Sequence, residues 1–222
     1  ASPLRTLAAC GILTGFMLLG LIVTRLRSKL LSSTILKGIP SSFILELPPY
    51  RVPKAGSVII RSIRDRTVFV LGRAIAVAAP FGIVIWILAN IKIGSVSILD
   101  HCTDFLDPFG RLIGVDGVIV MAFILGFPAN EIVIPVMLMS YMSSGVLTDY
   151  SSLSQLQDIL AGCGWTFRTA LCVAILCLFH FPCGTTCLTV KKETGSLKWT
   201  ACAFLLPTLT GIMLCMVINI LF

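Results

Sequence analysis

Three stretches of the chain are apolar almost without interruption: residues 4–24, 74–91 and 199–222, with Arg5 as their single charge. A helix rises about 1.5 Å per residue, so roughly 20 such residues cross a ~30 Å hydrocarbon core. The pattern predicts membrane-crossing helices over 4–26, 74–91 and 197–221. The first is too long for the core of a signal peptide, and no small-residue cleavage site follows it. Two further apolar stretches, 117–142 and 168–190, are each broken. One break is Gly126-Phe127-Pro128-Ala129-Asn130-Glu131, the other His180-Phe181-Pro182-Cys183-Gly184. Between 37 and 56, Gly38, Pro40, Pro48, Pro49, Pro53 and Gly56 interrupt any regular element. Residues 57–70 interleave Val58, Ile59, Ile63 and Val68 with Arg61, Arg64 and Arg66, a pattern that predicts a basic amphipathic helix in the membrane interface. The expected fold is an all-α integral membrane protein, a polytopic helix bundle with broken or re-entrant helices. Residues 1–56 supply the first helix and a linker, and 57–222 the main membrane domain.

Charge orients this pattern. Ten Lys or Arg fall between 25 and 73 and three between 191 and 198. Residues 92–116 hold two and are net acidic through Asp100, Asp104, Asp107 and Asp116, while 143–167 hold none. Basic loops stay on the cytoplasmic side, so 92–116 and 143–167 are expected outside. Residues 117–142 then have both flanks outside and are too short for two full crossings. A re-entrant hairpin of two half-length legs meets that constraint. A single broken span, with 143–167 inside, is the alternative.

Composition narrows the function. Hydrophobic residues make up 57% and charged residues 12%, well below the charged share of a soluble domain. The net charge of +7 sits beside apolar spans, where it serves orientation and lipid headgroups rather than nucleic acid. The chain opens on Ala1 without a Met, which suggests a fragment. The nine cysteines lie mostly inside apolar runs, with no CxxC pair, and read as small packing residues rather than a disulfide framework. Phosphate-loop, HExxH and GxSxG motifs are absent and there are only two histidines, so an enzyme is not expected.

The breaks carry the candidate chemistry. A helix break inside a bilayer frees backbone N–H and C=O groups, and is tolerated only within protein or beside a wet cavity. Transporters place their binding sites at such breaks. Gly126, Pro128, Pro182 and Gly184 are the expected break or gate residues. Glu131, a carboxylate in an apolar stretch, reads as a cation ligand, proton carrier or gate, or as the favourable acid at the start of a half-helix. Cys183 and Cys187 are four apart and can share a helix face. His180 reads as a ligand or as a ring bonded to a nearby carbonyl. Taken together, Glu131, Asn130, His180, Cys183 and Cys187 suit a transition-metal cation better than sodium. The reading is a pathway for a small solute or ion, and a non-conducting structural subunit is the other possibility.

Three motifs add a resemblance. Glu46-Leu47-Pro48-Pro49-Tyr50-Arg51 resembles a signature in the C-terminal membrane region of FeoB, the ferrous iron transport protein B family. Gly126-Phe127-Pro128-Ala129-Asn130-Glu131-Ile132-Val133 is similar to the broken helix of that family's second Gate (nucleoside-recognition-like) domain. Pro182-Cys183, followed by Lys191-Lys192-Glu193-Thr194-Gly195-Ser196-Leu197-Lys198-Trp199, resembles the segment closing that domain. The resemblance implies Fe²⁺ as the transported ion and the bacterial cytoplasmic membrane as the location. It implies a GTP-binding domain, with GTP and Mg²⁺, and a first Gate domain as partners elsewhere in the full-length protein. This chain carries no cofactor of its own. The residues it carries over are Gly126, Glu131, Pro182 and Cys183. Many family members have a basic residue where Asn130 stands, so a charge partner for Glu131 is missing locally. A Gate-type organic-solute or nucleoside transporter is the alternative. Half of a repeat leaves an apolar face uncovered, so lipid, a second copy or the missing half is expected against it.

Overall fold

The computed structural model describes residues 3–34, 55–147 and 152–221. The chain divides into two compact units, Ala1–Ile63 and Arg64–Phe222. In the first unit, α1 (Pro3–Thr34) runs on past the expected end near residue 26. Its apolar side chains, Leu13, Met17 and Leu21 among them, stay exposed around the helix, as lipid contact requires. Thr14 and Thr24 return their hydroxyls to the carbonyls of Cys10 and Gly20, at 2.8 and 2.7 Å, and so bury no unpaired polar group. A short amphipathic helix, α2 (Ala55–Ser62), opens the stretch expected at 57–70, and a π-helical segment, Ile63–Val68, completes it. The linker and the motif at 46–51 lie outside the described residues.

The second unit starts with α3 (Phe69–Asn90), the expected second span, with Pro80 inside it. A tight hairpin pairs β1 (Lys92–Ile93) with β2 (Val96–Ser97) and leads into α4 (Ile98–Leu112). The polar stretch 92–116 is thus largely helix. Ser97 and Asp100 form a reciprocal capping box that starts α4. The remaining helices are α5 (Gly117–Leu125), α6 (Val133–Tyr141), α7 (Leu153–Gly162), α8 (Phe167–Leu178), α9 (Gly184–Thr194) and α10 (Leu197–Leu221). The polar stretch 143–167 likewise contains a helix, α7, capped by Ser152. Among the described residues, three helices, spanning Leu7–Leu30, Phe69–Asn90 and Leu197–Leu221, are long and apolar enough to cross a membrane. Two pairs turn sharply, α4 into α5 by 108° and α7 into α8 by 114°. The chain is a helical membrane protein.

The core is the α5–α6 hairpin. Ile119, Ala122, Val136, Met137 and Leu138 are almost fully buried there. Each leg has nine residues, about 13 Å of helix, roughly half a hydrocarbon core. Asp116, just before α5, accepts a hydrogen bond from the hydroxyl of Tyr141, the last residue of α6. The two outer ends therefore lie side by side and the turn lies at the far end. The geometry is that of the hairpin rather than of a single broken span.

Long-range bonds sort the ends of the unit as the charges predict. Arg73, near the start of α3, donates to Thr189 on α9 at 2.8 Å rather than reaching outward alone, which places the start of α3 beside the segment leading to Lys191 and Lys192. At the other end Asn90 donates to the Gly145 carbonyl, and Asn219 near the end of α10 donates to the carbonyls of Arg111 and Leu112. Trp165 joins the same end by donating Nε1–H to Tyr141 at 3.0 Å. The acidic connections thus share one end of the bundle with the end of α10.

Candidate functional site

The first break opens where α5 ends at Gly126, whose N–H bonds the Ala122 carbonyl at 2.8 Å. A Cβ on Gly126 would collide with the Val133 side chain, so only glycine lets α6 fold back this closely. Pro128 contributes no N–H. Ala129 is extended, and a single 3-10 turn, Asn130–Ile132, then starts α6. The second break follows Phe179, where α8 stops, and ends at Cys183, whose backbone caps α9.

The two breaks meet. Gly184 N–H donates to the Phe127 carbonyl at 2.8 Å. One break thus supplies the acceptor for the first helical N–H of the segment that the other break begins. A Cβ on Gly184 would stand 3.0 Å from Phe127 Cε1 and from Val77 Cγ1, so a larger residue here would have to push these side chains aside. Around it the rings close in. Phe181 stacks on Phe204 of α10 with centroids 4.6 Å apart, Phe127 lies 5.8 Å from Phe181 and 6.1 Å from Phe204, and Phe81 of α3 lies 5.6 Å from Phe127.

The expected ligands take up different positions around this contact. Cys183 Sγ lies 3.1 Å from both the Thr185 and Thr186 hydroxyls, at the start of α9. Cys187 instead turns its thiol back to the Pro182 carbonyl at 3.4 Å. His180 packs its ring between Phe181 and Phe123, at 3.8 and 5.1 Å, and both ring nitrogens are buried without a hydrogen-bond partner. Asn130 and Glu131 are exposed in the 3-10 turn, and Glu131 makes no hydrogen bond or ion pair among the described residues. Among the described residues, no three His, Cys, Asp or Glu side chains converge as a ready metal centre.

Comparison with known proteins places this geometry. The nucleoside-recognition (Gate) family matches residues 71–197, which takes in both breaks. The chain belongs to the Gate family. Ahead of this Gate region, residues 13–64 match the C terminus of ferrous iron transport protein B. The chain is 30% identical over 205 residues to the Fe(2+) transporter FeoB of Staphylococcus aureus, covering 88% of this chain and 29% of that protein. It is 26% identical over 216 residues to the Fe(2+) transporter FeoB of Leptospira interrogans, covering 88% and 31%. The Fe(2+) transporter FeoB of a Synechocystis strain is 25% identical over 172 residues, covering 76% and 26%. The chain thus spans about three tenths of the length of these relatives, and it corresponds to the membrane segment of FeoB that joins the C-terminal region to a Gate region. No solved structure matches it.

Two structural features of this Gate region were not singled out from the sequence. The aromatic cluster depends on Phe81 and Phe204, far from either break in sequence and marked by no motif. The Asp116–Tyr141–Trp165 network did leave a signal, since an Asp before an apolar helix is a cap.

Proposed function

We propose that this chain forms part of the pathway by which a ferrous iron transporter moves Fe²⁺ across a bacterial cytoplasmic membrane. The observation that carries the reading is the Gly184 N–H to Phe127 carbonyl bond, which holds two membrane-embedded helix breaks against each other. Such breaks expose backbone carbonyls and helix ends, the groups with which a membrane protein replaces an ion's water. Cys183 offers a soft donor at this junction, flanked by two hydroxyls, and thiolate is a favourable ligand for iron. Glu131 and Asn130 offer oxygen ligands in the turn that begins the second leg. His180 and Cys187 become available only if the breaks rearrange, because the imidazole nitrogens are buried and the Cys187 thiol is engaged. The chain acts as the conducting membrane part rather than as an enzyme. A GTP-binding domain with its GTP and Mg²⁺, a first Gate domain, and lipid or a second copy complete the full-length assembly.

The test is Fe²⁺ uptake by cells carrying the full-length protein with Cys183→Ser or Glu131→Gln, at matched membrane levels. Uptake is expected to fall at least tenfold in Cys183→Ser and several-fold in Glu131→Gln. Uptake at the unsubstituted rate in both variants would remove these breaks from the iron path. Nucleoside uptake in the same cells checks the organic-solute reading, which the cluster of rings favours, and is expected to be absent.

A further inference from the structure

We propose that Phe127, Phe181 and Phe204 are the shut gate of this pathway, and that His180 is the residue that biases it toward opening. The inference rests on the reading that the breaks lie on the ion path. Three observations carry it. One acceptor and one donor freed by the breaks, the Phe127 carbonyl and the Gly184 N–H, satisfy each other at 2.8 Å. Phe181 and Phe204 stack at 4.6 Å with planes 22° apart, and Phe127 abuts both, so apolar rings fill the junction. On the side facing the acidic end lies a cavity of about 160 Å³, lined by residues such as Phe109, Ile113, Phe123, Ile212 and the His180 ring. This pocket is partly open and its lining is almost wholly apolar, so it offers a cation few ligands. An ion at the junction would lose its hydration and gain only ring faces and methyl groups, which is how a hydrophobic constriction blocks conduction.

The same packing leaves His180 unsatisfied. Its two ring nitrogens are buried between Phe123 and Phe181 with no well-aligned hydrogen bond among the described residues. A buried polar group without a hydrogen bond costs free energy that solvation returns. When the rings part, three groups are released together: the Phe127 carbonyl, the Gly184 N–H and the imidazole. Water or the passing cation then takes the carbonyl and the imidazole as ligands. The gate is therefore tight in packing and strained in polarity, a combination suited to a brief opening.

The experiment uses the full-length protein in liposomes loaded with calcein, with Fe²⁺ kept reduced outside and no energy source supplied. Phe204→Ala is expected to raise the resting Fe²⁺ leak at least fivefold. It is also expected to raise N-ethylmaleimide modification of Cys183, read by peptide mass spectrometry. Phe204→Leu, which keeps apolar bulk should alanine fail to fold, is expected to give a smaller rise in both. Phe105→Ala, on an α4 ring that is 83% exposed, serves as the control and leaves both unchanged. His180→Phe, which removes the unpaired nitrogens and keeps a ring, is expected to lower driven uptake without adding leak. Resting leak and Cys183 labelling that stay at the wild-type level in folded Phe204→Ala and Phe204→Leu overturn the gate. Loss of driven uptake in Cys183→Ser alongside that result leaves the pathway in place and refutes only its gate. Intact uptake in Cys183→Ser together with that result removes both.

Discussion

Removing the Asp116 carboxylate tests whether the open end of the α5–α6 hairpin is locked by one side chain. Asp116 makes two separate bonds. One oxygen caps α5 by accepting the Ile119 N–H at 2.7 Å, and the other accepts the Tyr141 hydroxyl, which itself accepts the indole N–H of Trp165 at 3.0 Å. Loss of an N-cap costs about 1 kcal/mol. A hydrogen bond to a charged acceptor is worth about 1.5–3 kcal/mol. Asp116→Ala is therefore expected to destabilise the fold by about 2.5–4 kcal/mol by those magnitudes. Asp116→Asn keeps a good cap and a neutral acceptor, so its cost should be near 1 kcal/mol. Tyr141→Phe keeps the cap and loses only the second bond. The assay is denaturant unfolding in mixed micelles, with the double variant closing a thermodynamic cycle. The expected coupling between positions 116 and 141 is on the order of 1–3 kcal/mol. Alanine and asparagine variants of equal stability, or a coupling below about 0.5 kcal/mol, would refute the lock.

Two further outcomes follow from packing. Gly117→Ala is expected to abolish folded protein in the membrane, because its Cβ would fall on the Thr103 carbonyl and stand 2.8 Å from the Asp107 backbone N, at the corner where α4 turns into α5; size-exclusion profile and membrane yield check this against Gly162→Ala, where nothing lies within 4 Å. Cys163 is exposed at the acidic end whereas Cys172 and Cys215 are fully buried, so a membrane-impermeant maleimide added to intact cells should label Cys163 and spare the other two; labelling of Cys163 only after the cells are opened would reverse the orientation assigned from charge.

What the sequence disclosed follows from what lipid demands. The apolar runs at α3 and α10 have no soluble alternative, and their limits agree with the helices to within a few residues. The breaks were equally visible, because Gly126-Phe127-Pro128 and Phe181-Pro182 cannot continue a helix. The amphipathic helices were less so. Four acids between 100 and 116 looked like a loop, yet Ser97 and Asp100 bear a capping signature, and Leu99, Thr103 and Gly110 fall on one buried face of α4. The candidate site was legible only in part. Residue type marked Cys183 and His180, but not the ring of Phe204 that stacks on Phe181 beside them, because a phenylalanine in an apolar span differs in no local respect from one that faces lipid. Glu131 shows the converse. Its neighbours in sequence are apolar, whereas its place in a turn at the hairpin tip leaves it exposed, and sequence spacing does not distinguish those outcomes.

The backbone accounting explains why the two breaks occur together. A single break at 126–129 would leave the Phe127 carbonyl facing hydrocarbon, and a single break at 180–183 would leave the Gly184 N–H in the same position. Each such group costs several kcal/mol in lipid. Paired at 2.8 Å, each removes the other's penalty. Each break thus supports the other, and the glycine at position 184 leaves room for their approach. The same economy restricts how the junction opens. Separating the breaks restores both penalties unless water or an ion enters at that moment, so opening and hydration are one event.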